Sequence, residues 1–237
     1  MRDSWLSLYG KPAARVAVYG TALNFRGALA ALGAAVNAPP YQAPPRAPIL
    51  YLKPRNTWLG PDEAVSLPAG HEAVAVGPTL GVLIGQPTTR ESAAAAMGHV
   101  AGYTIVNDLA LPHSSYFRPA IQQQCRDGFC PIGPSLIEAA AISDPGALEL
   151  RAYINDQLRL CCSTAELIRP LPQLIADISD FMTLRRGDLL LVGLPANLPL
   201  ARAGDRMAVE IEGLGRLENP LLAASAGRHR AGIGGAP

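Results

Sequence analysis

The sequence predicts an α+β fold in which a mixed β-structure carries the core and short helices flank it. Three observations predict it. Strand-like apolar runs dominate the chain. Twenty-two prolines and 23 glycines among 237 residues imply many turns between short strands. The strands do not alternate regularly with helices, which argues against a doubly wound sheet.

Taken in order, Arg15 to Leu23 reads as a strand, and the small residues of Arg26 to Ala35 suit a helix. Asn37 to Pro48 holds five prolines in twelve residues and is expected to be a loop or extended linker. Ile49 to Lys53 is a strand that delivers Lys53 to its end. Glu72 to Val76 and Leu80 to Ile84 are two more. Thr89 is expected to cap a helix with Glu91 and Ser92 in its first turn, continued by alanines to Met97. Tyr103 to Val106 reads as a buried strand ending on Asn107 and Asp108. Pro131-Ile132-Gly133-Pro134 then forms a turn.

From Leu148 to Cys161 the pattern is that of a hairpin. Leu148, Leu150, Ala152 and Ile154 alternate with polar partners, Asn155-Asp156 turns, and Leu158 and Leu160 return. Thr164 is a helix-cap candidate, and Leu171 to Thr183 has apolar residues at helical spacing. Asp188 to Gly193 and Arg206 to Ile211 are strands, and Gly213-Leu214-Gly215 turns into a short last one. The chain is thus expected to divide into an amino-terminal segment with a Pro-rich linker (1–48), a main domain (49–225) and a glycine-rich, disordered tail (226–237).

A formal net charge of +1, with basic residues scattered and no aromatic ladder, excludes a nucleic-acid or membrane-surface partner from the expectations. The longest apolar run, near Leu189 to Leu194, is too short to cross a bilayer. The amino terminus lacks the pattern of a signal peptide. The four cysteines include no Cys-x-x-Cys and read as reduced thiols, so a cytoplasmic location is expected.

Three segments carry a resemblance. Gly102 to Asp108 (GYTIVND), Asp127 to Pro134 (DGFCPIGP) and Phe181 to Asp188 (FMTLRRGD) match, in order and spacing, the fumarylacetoacetate hydrolase family. The likeness runs from about Arg15 to Leu222. Tyr51 to Thr57 (YLKPRNT) and Tyr116 to Ile121 (YFRPAI) resemble the isomerase/decarboxylase branch of 4-hydroxyphenylacetate (homoprotocatechuate) catabolism. The resemblance implies a mixed sheet rolled into a β-barrel-like core with flanking helices, a domain of catalytic type over 49–225, and oligomers. It also implies a sister module, fused in tandem or on a separate chain.

Family members hold magnesium or manganese through a Glu-x-Glu pair and the aspartate of Asn-Asp. Two-residue spacing on a strand puts both glutamates on one face, and hard cations prefer such oxygens. Here Gly77 and Thr79 stand where the glutamates belong, and Asp108 alone remains, so no cofactor is expected in this chain. Glu72, five residues upstream of Gly77, could serve only after a local shift. Other family positions are altered too: Gln124 replaces a lysine, Leu194 replaces the threonine of Gly-Thr-Pro, and Ala28 stands near a histidine.

The candidate catalytic residues are Lys53, Asp108 and Arg118. The candidate substrate contacts are Tyr116, Arg118, Gln124 and Asp127. Arg118 suits a carboxylate by bidentate pairing, or forms a structural ion pair. Lys53 reaches the pocket or is solvated. Tyr116 packs or donates a hydrogen bond, and Asp127 braces loop amides or acts as a base. Asp108 is a remnant ligand or a strand-end cap. His71, His99, His113 and His229 form no evident dyad, and His113 is expected to be an exposed loop histidine.

The function implied is that of a subunit that isomerises 2-hydroxyhepta-2,4-diene-1,7-dioate and decarboxylates 5-oxopent-3-ene-1,2,5-tricarboxylate. Its ligands would be small dicarboxylate or tricarboxylate 2-oxo or 2-hydroxy acids. Two alternatives stand beside it: a catalytically impaired partner of a metal-binding sister chain, and a 3-oxo acid hydrolase.

Overall fold

The computed structural model describes residues 16–113, 115–133 and 135–224. Fifteen strands follow one another among the described residues. The first seven are β1 (Val18–Ala22), β2 (Ile49–Leu52), β3 (Trp58–Leu59), β4 (Val65–Leu67), β5 (Val74–Ala75), β6 (Pro78–Ile84) and β7 (Val100–Asn107). Next come β8 (Cys130–Pro131), β9 (Ile137–Glu138), β10 (Glu149–Ile154) and β11 (Gln157–Ser163). The last are β12 (Leu189–Leu191), β13 (Leu200–Ala201), β14 (Arg206–Ile211) and β15 (Gly215–Ala223).

They form a six-stranded sheet in the order β2-β1-β12-β6-β7-β9, a five-stranded sheet β11-β10-β14-β15-β4, and two short pairs. β1 and β12 run parallel while their other neighbours are antiparallel, so the larger sheet is mixed. The fold class is α+β, as expected, and the strands make open sheets rather than a closed barrel.

Alternation decides where the core lies. Leu80, Val82 and Ile84 of β6 join Tyr103 and Ile105 of β7 in one cluster with Leu150 and Ala152 of β10 and Met207, Val209 and Ile211 of β14. Side chains one residue out of phase, Leu83, Val106, Leu189 and Leu191, meet Val18, Cys130 and Ile132 on the opposite face. Because the period is two, β6 is buried on both faces along its whole length. The main helix, Leu171–Phe181, adds Leu171, Leu174, Ile175 and Ile178 to the larger cluster.

The hairpin expected from Leu148 onward is β10–β11, and its two turn residues, Asn155 (φ 51°) and Asp156 (φ 61°), both adopt the left-handed region that a two-residue turn requires. Other elements differ from expectation for local reasons. Arg90 is still in a turn, at φ 51°, and Thr88 is paired to Leu184, so the helix cannot start at Thr89. It is a single turn, Ala93–Ala96, capped by Ser92. Thr164 is no cap either, because its hydroxyl accepts from Leu148 N–H and donates to the Pro145 carbonyl. Ser163 caps instead, in a capping box with Glu166. Ser163→Ala is expected to lower stability by about 1 kcal/mol, read as a shift in a urea denaturation midpoint.

The last strand is not short: β15 has nine residues because it pairs with β14 and then, in parallel, with β4. The small-residue segment after Asn24 is helical only over Arg26–Ala30 and becomes a 3-10 turn over Gly33–Asn37. β1, inside the amino-terminal segment, is hydrogen-bonded on both sides. Two-residue strands such as β3, β9 and β13 were not legible in the sequence, whereas β5 falls within the strand expected at Glu72 to Val76. The expected disordered tail, together with Ser114 and Pro134, lies outside the described residues.

Candidate active site

The site is built where the ends of β2, β6 and β7 meet. Register sets Pro78 opposite Asn107, so Gly77 falls beside Asp108 just beyond the paired segment. Asp108 N–H donates to the Gly77 carbonyl at 2.8 Å, and the Asn107 side chain accepts from Gly77 N–H at 3.0 Å. Asp108 is thereby a strand-end carboxylate held from both sides, and it is 1% exposed.

Lys53, immediately after β2, is also 1% exposed and is not a solvated surface lysine. Its ammonium donates to the carbonyls of Leu109 (2.8 Å), Gln124 (2.9 Å) and Phe129 (3.0 Å) and ion-pairs with Asp108 Oδ1 at 2.6 Å. Four acceptors surround three N–H groups, so Lys53 ties β2, the end of β7 and the 124–129 segment together. A buried charge is tolerable only when so matched. Tyr51, two residues earlier and on the same face of β2, donates its hydroxyl to Asp108 Oδ2. Burial, and then the Asp108 charge beside it, pushes the Tyr51 phenol well above its usual pKa. Asp108 Oδ2 thus accepts from Tyr51, while Oδ1 meets the Lys53 charge without a hydrogen bond of its own among the described residues.

In front of this triad lies a cavity of two lobes. The inner lobe, about 350 Å³, has apolar walls that include Ala28, Leu32, Leu111, Leu194 and Leu198. No Asp, Glu, Lys or Arg lines it among the described residues. The outer lobe, about 140 Å³, adds Phe117 and Arg118. Tyr51, His113, Tyr116 and Gln124 belong to both walls.

The structure thus brings Tyr116, Arg118 and Gln124 to one cavity. It places Lys53 and Asp108 behind Tyr51 rather than in the wall. Asp127 lines neither lobe; it is exposed and accepts from the Asn56 side-chain amide at 2.7 Å, which makes it a loop brace. His113, expected in the open, is partly buried, and burial lowers its pKa, so the imidazole is neutral at pH 7. Tyr51 is the residue that sequence reasoning missed. The signal was present in its two-residue spacing from Lys53, which puts both on one strand face.

The residues present do not fit a divalent cation. A side chain on Gly77 would overlap the Asp108 carbonyl oxygen and come within 2.8 Å of Leu194 Cδ2. The Thr79 hydroxyl is buried with no hydrogen-bond partner among the described residues. Glu72 is exposed, and no cluster of three His, Cys, Asp or Glu side chains suited to a metal occurs among the described residues. With both Asp108 oxygens already paired, one carboxylate without companions cannot supply the ligand number a hard dication needs.

The mixed sheet, the strand-end aspartate and the cavity over it define a fumarylacetoacetate-hydrolase-type domain. Residues 17–222 match the fumarylacetoacetate (FAA) hydrolase C-terminal family, and the chain belongs to that family. It is 40% identical over 206 residues to the 4-hydroxyphenylacetate degradation bifunctional isomerase/decarboxylase of Salmonella dublin, a match covering 87% of this chain and 47% of that protein. The chain therefore spans about half the length of the curated relatives it matches first.

Among solved structures it is similar to 2-hydroxyhepta-2,4-diene-1,7-dioate isomerase from Mycobacterium marinum, with a TM-score of 0.72 and 30% identity over 88% of this chain and 75% of that one. It is also similar to maleylpyruvate hydrolase from Sphingobium sp. SYK-6 in complex with manganese(II) and pyruvate, with a TM-score of 0.71 and 26% identity over 88% and 71% of the two chains. Manganese is thus bound within the family. No helix among the described residues is long and apolar enough to cross a membrane.

Proposed function

We propose that this chain is a subunit of an isomerase/decarboxylase of 4-hydroxyphenylacetate catabolism, and that it supports a related, metal-binding chain rather than carrying the metal chemistry itself. The observation that carries this reading is the closure of Asp108 by Lys53 and Tyr51. In the two reactions named for the branch, an enolate at the 2-oxo acid end must be stabilised, either while a proton moves between carbons or while carbon dioxide leaves. A dication does this well as a Lewis acid. The inner lobe offers only neutral hydrogen-bonding groups for the same charge, a weaker arrangement.

The chain's own residues still suit a ligand of that class. Arg118 would pair with a carboxylate from the outer lobe. Tyr116 and Gln124 would hydrogen-bond to its remaining oxygens, and Lys53 with Asp108 would hold Tyr51 in place. The partner would be a sister chain with Glu-x-Glu and Asp intact, in a pseudosymmetric hetero-oligomer.

Isomerase and decarboxylase assays on the chain alone, on such a sister chain alone, and on their mixture test the reading. Calorimetry with manganese accompanies them. The expected result is no manganese binding by this chain, little turnover alone, and higher turnover in the mixture than with the sister alone. Micromolar manganese binding together with full activity of the isolated chain would make it a self-sufficient enzyme and overturn the reading.

A further inference from the structure

The wall shared by the two lobes has a hydrogen-bonding polarity that the role just proposed does not use. Asp108 is buried, one of its oxygens facing the Lys53 ammonium at 2.6 Å and the other accepting from the Tyr51 hydroxyl. The hydrogen between Tyr51 and Asp108 must then be the phenol's own. A phenol has one hydrogen. With it committed to Asp108, what Tyr51 can offer a ligand in the cavity is a lone pair. Tyr51 is thus fixed as an acceptor toward the cavity.

Gln124 supplies the complement on the same wall. It is 8% exposed, it lines both lobes, and its side-chain amide has no hydrogen-bond partner among the described residues. Its backbone carbonyl is held by Lys53, so the residue is anchored while its amide remains available. An amide without a side-chain partner, set on the same wall as Tyr51 and bordering both lobes, is placed to meet a ligand's polar group.

We propose that Tyr51 and Gln124 select the 2-hydroxy form of a 2-oxo/2-hydroxy diacid over its 2-oxo form. Tyr51 accepts a hydrogen bond from the C2 hydroxyl, and Gln124 donates one to the same oxygen. This rests on the reading of the cavity as a diacid site and adds which form it takes; for a 2-hydroxy-2-enoate, that form is the enol. A 2-oxo group has no hydrogen to give, so its oxygen would face the Tyr51 lone pair and leave two acceptors opposed. Sites built around a ligand hydroxyl reject analogues that lack it far better than apolar pockets discriminate by size.

The test is calorimetry in EDTA with two stable, size-matched probes, 2-hydroxyadipate and 2-oxoadipate. The wild-type chain is expected to bind the hydroxy acid at least about tenfold more tightly. Tyr51→Phe keeps the ring that packs over Gly20 but removes the acceptor, and is expected to bring the ratio to about one by weakening the hydroxy acid and relieving the opposed acceptors for the 2-oxo acid.

Asp108→Asn gives the sharper result. With its carbonyl oxygen turned to Lys53, the new amide must donate to Tyr51, which releases the phenol hydrogen toward the cavity, and the preference should reverse to the 2-oxo acid. Melting temperatures and circular dichroism establish that each variant is folded. If Asp108→Asn does not fold, Tyr51→Phe decides alone. Equal affinities in the wild type, no binding of either probe, or a preference that survives Tyr51→Phe overturns the inference. So does a folded Asp108→Asn variant that still prefers the hydroxy acid. Because no turnover is measured, a silent chain leaves the inference standing, and an active mixture does not rescue it.

Discussion

Lys53→Met is expected to lower the free energy of unfolding by about 3–5 kcal/mol, the range found when one member of a buried ion pair is removed. The methylene stem survives the substitution, so the loss comes from the charge. Asp108 would keep its buried carboxylate with Tyr51 as its only side-chain partner. The carbonyls of Leu109, Gln124 and Phe129 would lose a common donor at the same time. Urea denaturation of Lys53→Met, Asp108→Leu and the double variant closes the cycle. The double variant is expected to be more stable than Lys53→Met alone, because it no longer buries an unpaired charge. A loss below about 1 kcal/mol for Lys53→Met, the size of one ordinary hydrogen bond, would show that the triad does not hold the site together.

Placing a Glu-x-Glu pair at positions 77 and 79, where the resemblance sets the family's ligands, is expected to fail. The double substitution Gly77→Glu/Thr79→Glu should yield no manganese site and should lose at least about 2 kcal/mol of stability, at the upper part of the range for overpacking. The reason is the backbone rather than the missing carboxylates. A Cβ at 77 would overlap the Asp108 carbonyl oxygen and press on Leu194, and the backbone there is fixed by the Asp108–Gly77 hydrogen bond. Thr79 is fully buried on a strand whose every residue is buried, so a glutamate there would need a partner the wall lacks. Tyr51 would still hold the Asp108 oxygen that a cation needs. Micromolar manganese affinity in this variant, measured by calorimetry, would mean that the cavity retains a metal geometry after all.

The same triad separates what was legible in the sequence from what was not. Lys53, Asp108, Tyr116, Arg118 and Gln124 could all be named from motif order, and the structure gathers them around one cavity or directly behind its wall. Their division of labour could not be named. Lys53 lies one residue past the end of β2, where either a solvated or a buried ammonium is possible, and only the convergence of three carbonyls from 109, 124 and 129 decides it. Asp127 sits next to the same segment, yet its carboxylate turns to Asn56 because the loop folds back on the residues after Lys53. Tyr51 was visible as a strand residue, but the partner of its hydroxyl is 57 positions away.

Sequence alone determined the elements whose signal is local. The alternation of Leu148 to Ile154, the two-residue Asn155-Asp156 turn and the helical spacing read from Leu171 to Thr183, of which Leu171–Phe181 is helix, each depend on residues within one turn or one strand. The family's motifs and their order were equally plain, and the resemblance set Gly77 and Thr79 where the family carries its Glu-x-Glu pair. Tertiary structure decided the caps, the length of the last strand and the polarity of the site. Thr164 gave up its capping role because Leu148 and Pro145 claimed its hydroxyl, and β15 ran on because β4 was there to pair with it. Whether Asp108 faces a cation, water or a phenol depends on which side chains β2 brings across to β7. That is a long-range hydrogen-bonding outcome, and no local pattern in the chain encodes it.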